Sequence, residues 1–378
     1  MAASAHWLFQ LAIMAPLFWV ARLYVTPRGL ERMLLLIWTF SAASALVGVL
    51  QASFPGRFEP ALSMVYAERG KARVQALTMQ LSSGDWIFRP MGLTDVPGGA
   101  GYGGFYAVLL GVGVFLARPF PGARPIAAIT ILAGAVSVYL CQIRALLVML
   151  GVCLIAMIAI SALAGRVSRM FAVGGVVGIV GVVAFLRAVA LGGRSVTGRL
   201  STLVADDAGS VYFENRGVFL ENTVLHLLPD YPLGAGLGRW GMMTYYFGDG
   251  SKVLWAEIQW TGWLYDGGII LMLLYPAALG LATFLAARIA LRAVDPVVRT
   301  WATIIFAYDV GAFALTFSYP NFQATAGIEY WLINAALIQA AGSVGMVASQ
   351  LRAGLAPRVV PQRPLGSPVV PPRPRAPA

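Results

Sequence analysis

Residues 125–165 read PIAAITILAGAVSVYLCQIRALLVMLGVCLIAMIAISALAG, two apolar runs that meet at Arg144 with almost nothing between them. A helix needs about 20 apolar residues to cross the hydrocarbon core of a bilayer. The runs 125–143 and 145–165 both reach that length, so the stretch predicts a tight hairpin of two spanning helices with an arginine at the bend. Working outward, seven more runs qualify: 7–24, 33–50, 100–117, 170–186, 261–287, 300–318 and 330–349. The expected fold class is an all-α polytopic membrane protein of about nine transmembrane helices with two long periplasmic loops.

Composition agrees. Of 378 residues, 59% are hydrophobic and only 11% are charged, and mean hydropathy is +0.76. Soluble domains carry about 25% charged residues, so lipid must cover most of this surface. The net charge of +11 does not point to nucleic acid, because the arginines lie in short loops and in the tail. Cys141 and Cys153 both sit in apolar runs, and His6 and His226 are the only histidines. That leaves no disulfide scaffold, no cysteine-based metal site and no histidine cluster for zinc.

Lys and Arg in short loops set orientation. Arg28 and Arg32, Arg118 and Arg124, Arg166 and Arg169, and Arg288, Arg292 and Arg299 fall in alternate loops, which places all of them in the cytoplasm. Segments 51–99 and 187–260 then face the periplasm, and so does the N-terminus. The n-region before Trp7 has no Lys or Arg, so no cleavable signal peptide is expected. Either an upstream span present in relatives is missing, or the chain inserts unaided. The organisation expected is a transmembrane bundle over 1–350 with periplasmic loops, and a disordered Pro/Arg-rich cytoplasmic tail over 351–378.

Motifs of soluble enzymes are missing from the sequence: there is no Walker loop, GxSxG, HExxH or CxxC. Gly234-Ala235-Gly236-Leu237-Gly238 follows Pro229-Asp230-Tyr231-Pro232, so it is a plain turn or a backbone nest for phosphate. Residues 215–228 place Phe219, Leu220, Val224, Leu227 and Leu228 at helical spacing, which predicts a short amphipathic helix capping the bundle or lying on the membrane.

Arginine is rare in short outer loops, so Arg144 calls for an explanation. A guanidinium fork suits a diphosphate. Arg89, Arg216 and Arg239 lie in the two outer segments and are candidates for the same role; the alternative for each is a snorkelling or surface-paired arginine. Glu257 precedes the seventh span and suits a general base toward a sugar hydroxyl. Asp266 is a second candidate, or else a helix-start acid favoured by the dipole. Asp309 lies inside the eighth span, either protonated or paired within the bundle. Aromatic residues such as Trp240, Trp255 and Tyr265 crowd the outer segments; they suit sugar stacking and interfacial anchoring equally.

Four stretches together resemble the O-antigen ligase and polymerase superfamily, the Wzy/WaaL-like membrane glycosyltransferases. They are Arg89-Pro90-Met91-Gly92-Leu93; Gln142-Ile143-Arg144-Ala145-Leu146-Leu147; Asn215-Arg216-Gly217 with the later Leu228 to Gly238 stretch; and Glu257 through Asp266-Gly267-Gly268-Ile269. The resemblance spans roughly residues 30–285. It implies glycans carried on undecaprenyl diphosphate as substrate, transfer that is metal-independent, cofactor-free and inverting, and a bacterial inner-membrane location with the active site toward the periplasm. It implies Arg144, Arg216 and Glu257 as catalytic residues and Arg89, Arg239, Trp240 and Asp266 as substrate-binding ones. Membrane lipid, a chain-length regulator and a flippase are the implied partners. O-antigen ligases carry a His-Asn-like pair where this chain has Glu257-Ile258. That favours a repeat-unit polymerase for exopolysaccharide or O-antigen over a ligase acting on lipid A core or protein. A lipid-linked glycan transporter or flippase is the third reading; it would place its polar groups nearer the midplane.

Overall fold

The computed structural model describes residues 1–61, 77–201, 208–247, 253–323 and 325–355. Parts of the long segments 51–99 and 187–260, and the tail from 356 onward, lie outside the described residues. The helices are α1 (Ala2–Trp19, extended by a 3-10 turn at Val20–Arg22), α2 (Pro27–Ser53), α3 (Gly99–Ala117), α4 (Ala123–Cys141), α5 (Arg144–Leu163) and α6 (Val167–Gly192). There follow α7 (Arg194–Ser201), a composite helix α8 (208–230), α9 (Met242–Phe247), α10 (Gln259–Arg292), α11 (Pro296–Leu315) and α12 (Thr325–Leu355). A small antiparallel hairpin, β1 (Thr78–Gln80) with β2 (Trp86–Phe88), lies in the first long segment.

Among the described residues, eight helices are long and apolar enough to cross a membrane, and they coincide with the first eight runs of the sequence. The chain is a multi-pass, all-α membrane protein. The ninth run falls in α12, which is not one of those eight. The run continues past residue 345, beyond the side chains described, and within it Tyr330, Trp331, Ile333 and Leu337 are buried. The helical backbone of α12 runs on to Leu355.

Local chemistry accounts for the helix ends. Thr26 accepts a bond from Gly29 N with Pro27 at the first position of α2, and Asp295 caps Val297 N and Val298 N ahead of Pro296. Both are N-cap arrangements that satisfy orphan amides. Small residues let α3 and α4 meet closely. A Cβ on Gly104 would lie 2.5 Å from Gly134 O, and one on Gly134 2.7 Å from Gly104 O. Without a hydrophobic driving force between helices in lipid, such close approach supplies the packing. α3 sits at the centre, mostly buried and with no residue fully exposed. α6 and α10 turn Ile179, Val182, Leu186, Ile270, Leu273 and Phe284 outward, an apolar surface that only lipid solvates.

The long segments gather at one end of the bundle. Ser82 N donates to Leu191 O, Gln142 Nε2 donates to Ser195 Oγ at 2.6 Å, and Tyr212 OH donates to Phe317 O. The 125–165 hairpin bends at this same end. Gln142 takes a left-handed conformation (φ 55°) that closes α4 just before α5 opens at Arg144.

Buried Gln51, in the last turn of α2, holds the first long segment in place. Its Oε1 accepts from Met91 N (2.9 Å) and Gly92 N (2.8 Å), and its Nε2 donates to Gly92 O and Phe58 O. Gln51→Leu keeps the volume but strands several buried backbone groups, each at about 1–3 kcal/mol. The variant is expected to lose about 3 kcal/mol or more, read as a lower thermal midpoint in detergent. An unchanged midpoint would show that Arg89-Pro90-Met91-Gly92 is held by something else.

Candidate active site at the loop-rich end of the bundle

Arg216 lies on α8, which carries two widened π turns, at Phe213–Gly217 and Thr223–Leu227. Such turns interrupt the 3.6 period and recur at functional sites. Of the expected amphipathic stripe, Phe219, Leu220, Leu227 and Leu228 are half-buried, with Leu227 and Leu228 packed against the core, and Val224 is exposed. Thr223, between them, is fully buried. Thr223 Oγ1 pairs with Thr261 Oγ1 at 2.6 Å, which pins α8 across the start of α10.

That crossing brings Arg216 to Glu257. The Arg216 Nη1 donates to Glu257 Oε2, and both side chains remain partly exposed. Forty-one positions apart in sequence, the two form a direct ion pair. Tyr212 sits one turn away. Burial raises its phenol above the ordinary value, while nearby Arg216 opposes the rise.

A second group forms around the hairpin. Cys141 Sγ donates to Pro90 O, and Gly98 fits between Arg89 Cβ and the Ile143 side chain. Gly98 thus separates Arg89 from the bend that carries half-buried Arg144. Burial lowers the Arg89 guanidinium from its ordinary value, and its Nε has no hydrogen-bond partner among the described residues. A half-buried guanidinium so placed is suited to receive an anion.

The third group is closed. Asp266 Oδ2 faces His6 Nε2 (3.2 Å), Gln10 Nε2 (3.4 Å) and Gln323 Nε2 (3.0 Å), and its Oδ1 accepts from Trp240 Nε1 at 2.8 Å. Trp240 is buried against Gly262, where a Cβ would come within 2.1 Å of the indole. Both residues thus bind the protein in this conformation, and both are shielded from solvent. Arg239, next to Trp240, is exposed and reaches Ala235 O at 3.5 Å.

The glycine-rich turn has a structural task. α10 breaks at Gly267-Gly268, with Gly268 at φ 60°, ψ −151°. The break leaves Tyr265 O and Ile269 N without helical partners. Ala235 N and Gly236 N donate to Tyr265 O, and Ile269 N donates to Pro232 O. A non-helical backbone is tolerated at such a place only when its polar groups are met. With Gly234 N also donating to Tyr231 O, these three amides are engaged, which removes them from the phosphate nest considered above.

Asp309 is fully buried in α11. Its Oδ1 accepts from Asn334 Nδ2 at 2.8 Å, and Oδ2 has no partner among the described residues. No salt bridge to it is found among the described residues, so its pairing is to an amide.

His6, Gln10, Gln51 and Gln323 were not singled out in the sequence. The signal for the first three was available: each is a polar residue inside or beside an apolar run. What each contacts was not.

Comparison with protein-family models, with curated proteins and with solved structures finds no match.

Proposed function

We propose that the chain joins lipid-linked oligosaccharide repeat units into polymer, working at the loop-rich end of the bundle, which in this reading faces the periplasm. The observation that carries it is the Arg216–Glu257 pair, an anion-binding group and a proton acceptor joined at an accessible rim. The resemblance to O-antigen polymerases motivates the substrate, a glycan on undecaprenyl diphosphate.

In this mechanism the donor diphosphate competes with Glu257 for Arg216. As the guanidinium turns to phosphate, the carboxylate is released to accept the proton of the acceptor hydroxyl. That oxygen attacks the anomeric carbon, the bond to the diphosphate breaks, and the diphosphate leaves with the electron pair. Arg216, with Arg144 and Arg89 at the hairpin corner, stabilises the charge that builds on it. Confinement of both substrates to one membrane plane raises their effective concentration.

Purified chain in liposomes with a lipid-linked repeat unit is expected to yield a ladder of longer products, and Arg144→Ala to lower the yield about a hundredfold. Movement of the glycan across the bilayer with no new glycosidic bond would replace this reading with transport. Transfer only to a lipid A core or protein acceptor would replace it with a ligase.

A further inference from the structure

The bundle holds two carboxyl groups that the mechanism above does not use. Asp309 is fully buried on α11, short of its end at Leu315 by a rise of about 9 Å. Asn334 Nδ2 meets its Oδ1 at 2.8 Å, and its Oδ2 has no partner among the described residues. The titratable groups that feel its charge are Cys153 from α5, Tyr308 on its own helix and Tyr330 from α12. None of them is a cation. A carboxylate taken out of water with no counter-charge is costly, so in this packing the group carries a proton.

A ladder of polar groups leads to it. Glu329, in the second turn of α12, is half-buried and faces the Tyr106 hydroxyl of α3. Tyr106 OH meets Tyr308 OH at 2.8 Å, and either can be the donor. A hydrogen-bonded chain whose members can exchange donor and acceptor roles is able to pass a proton. Tyr308 ends that chain, and Asp309 is the next residue on α11. One turn above Tyr106, Tyr102 pairs with Tyr319, which is exposed at the loop-rich end. Toward the opposite end the ladder stops. α3 has no polar side chain from Ala107 to Ala117. On α11, Thr303 and Thr300 donate to Arg299 O and Pro296 O of their own helix. Ser343 on α12 likewise donates to Ala340 O.

We propose that Asp309 is an intramembrane proton-binding site, filled from the loop-rich end through Glu329, Tyr106 and Tyr308 and closed toward the other end. Ionisable groups inside a membrane bundle commonly mark such relays. Uptake converts the carboxylate to the neutral acid, and release returns the proton along the same path. Access from one side makes this a site that stores and exchanges a proton, and not a channel. It stands or falls independently of polymer formation.

The test is infrared difference spectroscopy of the full chain in oriented liposomes, which reads the C=O stretch of a protonated carboxyl. The unaltered protein is expected to show such a band, and Asp309→Asn, which keeps the size and the bond to Asn334, to lose it. An alkaline jump on the side carrying segment 187–260 is expected to remove the band, and the same jump on the other side to leave it. Tyr106→Phe is expected to slow that response at least about tenfold while the final amplitude stays the same. A band identical in Asp309→Asn overturns the proposal. So does a band that no pH jump moves, which marks a permanently protonated structural acid, or one that answers equally from both sides. Loss of the band on adding sodium at constant pH would replace the proton with a metal cation. An unchanged rate in Tyr106→Phe removes the relay. Should Asp309→Asn fail to fold, a second measurement on the unaltered chain decides. Dicyclohexylcarbodiimide modifies protonated carboxyls in apolar surroundings, and peptide mapping that finds no adduct on Asp309 at acid pH, or one that persists at alkaline pH, sinks the proposal.

Discussion

Replacing Arg216 by Ala is expected to lower polymer formation by about two to three orders of magnitude, the scale seen when a preorganised group stabilising transition-state charge is removed. The guanidinium is held by Glu257 on a helix pinned to α10 through Thr223 and Thr261, so it is positioned before substrate arrives. Arg216→Lys keeps the charge but loses the paired geometry, and an intermediate loss is expected. A purely structural ion pair makes a different prediction. In that case the exchanged double variant, Arg216→Glu with Glu257→Arg, would restore the pair and recover activity. Under the proposed mechanism it restores the pair and stays inactive, because the proton acceptor and the anion site have changed places. Protein level and thermal midpoint in detergent are measured alongside. Near-normal chain length in Arg216→Ala would falsify the diphosphate role.

Gly268→Ala is expected to cost the fold about 3 kcal/mol or more. At φ 60°, ψ −151° the backbone is in a region that essentially only glycine occupies. An added Cβ would also lie 2.2 Å from Pro232 O and 2.5 Å from Leu233 Cα, which are backbone atoms that cannot swing aside. The consequence reaches beyond stability. Displacing the 232–236 strip exposes Tyr265 O and Ile269 N, and the loop it anchors carries Trp240 into its socket beside Asp266. Gly280→Ala on the same helix serves as control: its surroundings are open, and alanine is the better helix former. A Gly268→Ala midpoint equal to that of the control would show that the broken helix is not tied to the glycine-rich strip.

Much of the architecture could be read from one dimension. Spanning helices announce themselves because burial in lipid demands length and apolarity at every turn, a local property of composition. The bend at Arg144 was visible for the same reason, since two full spans leave no residues for a loop. The identity of Arg216 and Glu257 as candidates was also legible, because charge beside an apolar run is conspicuous. Their contact was not, because it depends on how α8 lies across α10.

Other relations were hidden for related reasons. A π turn has no residue signature, so the burial of Thr223 within the 215–228 helix was not foreseen. The sequence left the glycine-rich strip as a plain turn or an anion nest, and the donation of Ala235 N and Gly236 N to Tyr265 O decides against the nest. Asp266 read as a candidate base or a helix-start acid, and only the arrival of His6, Gln10, Trp240 and Gln323 from three distant segments closed it in.

Length, hydropathy and the placement of arginines were thus enough to establish a lipid-embedded helical bundle and to nominate its charged rim. Which of those charges pair and which are sealed off were settled by packing between helices remote in the chain. The physical reason is range. Partition into lipid acts residue by residue along the chain, whereas hydrogen bonds, ion pairs and voids depend on atoms within a few ångströms in space, whatever their separation in sequence.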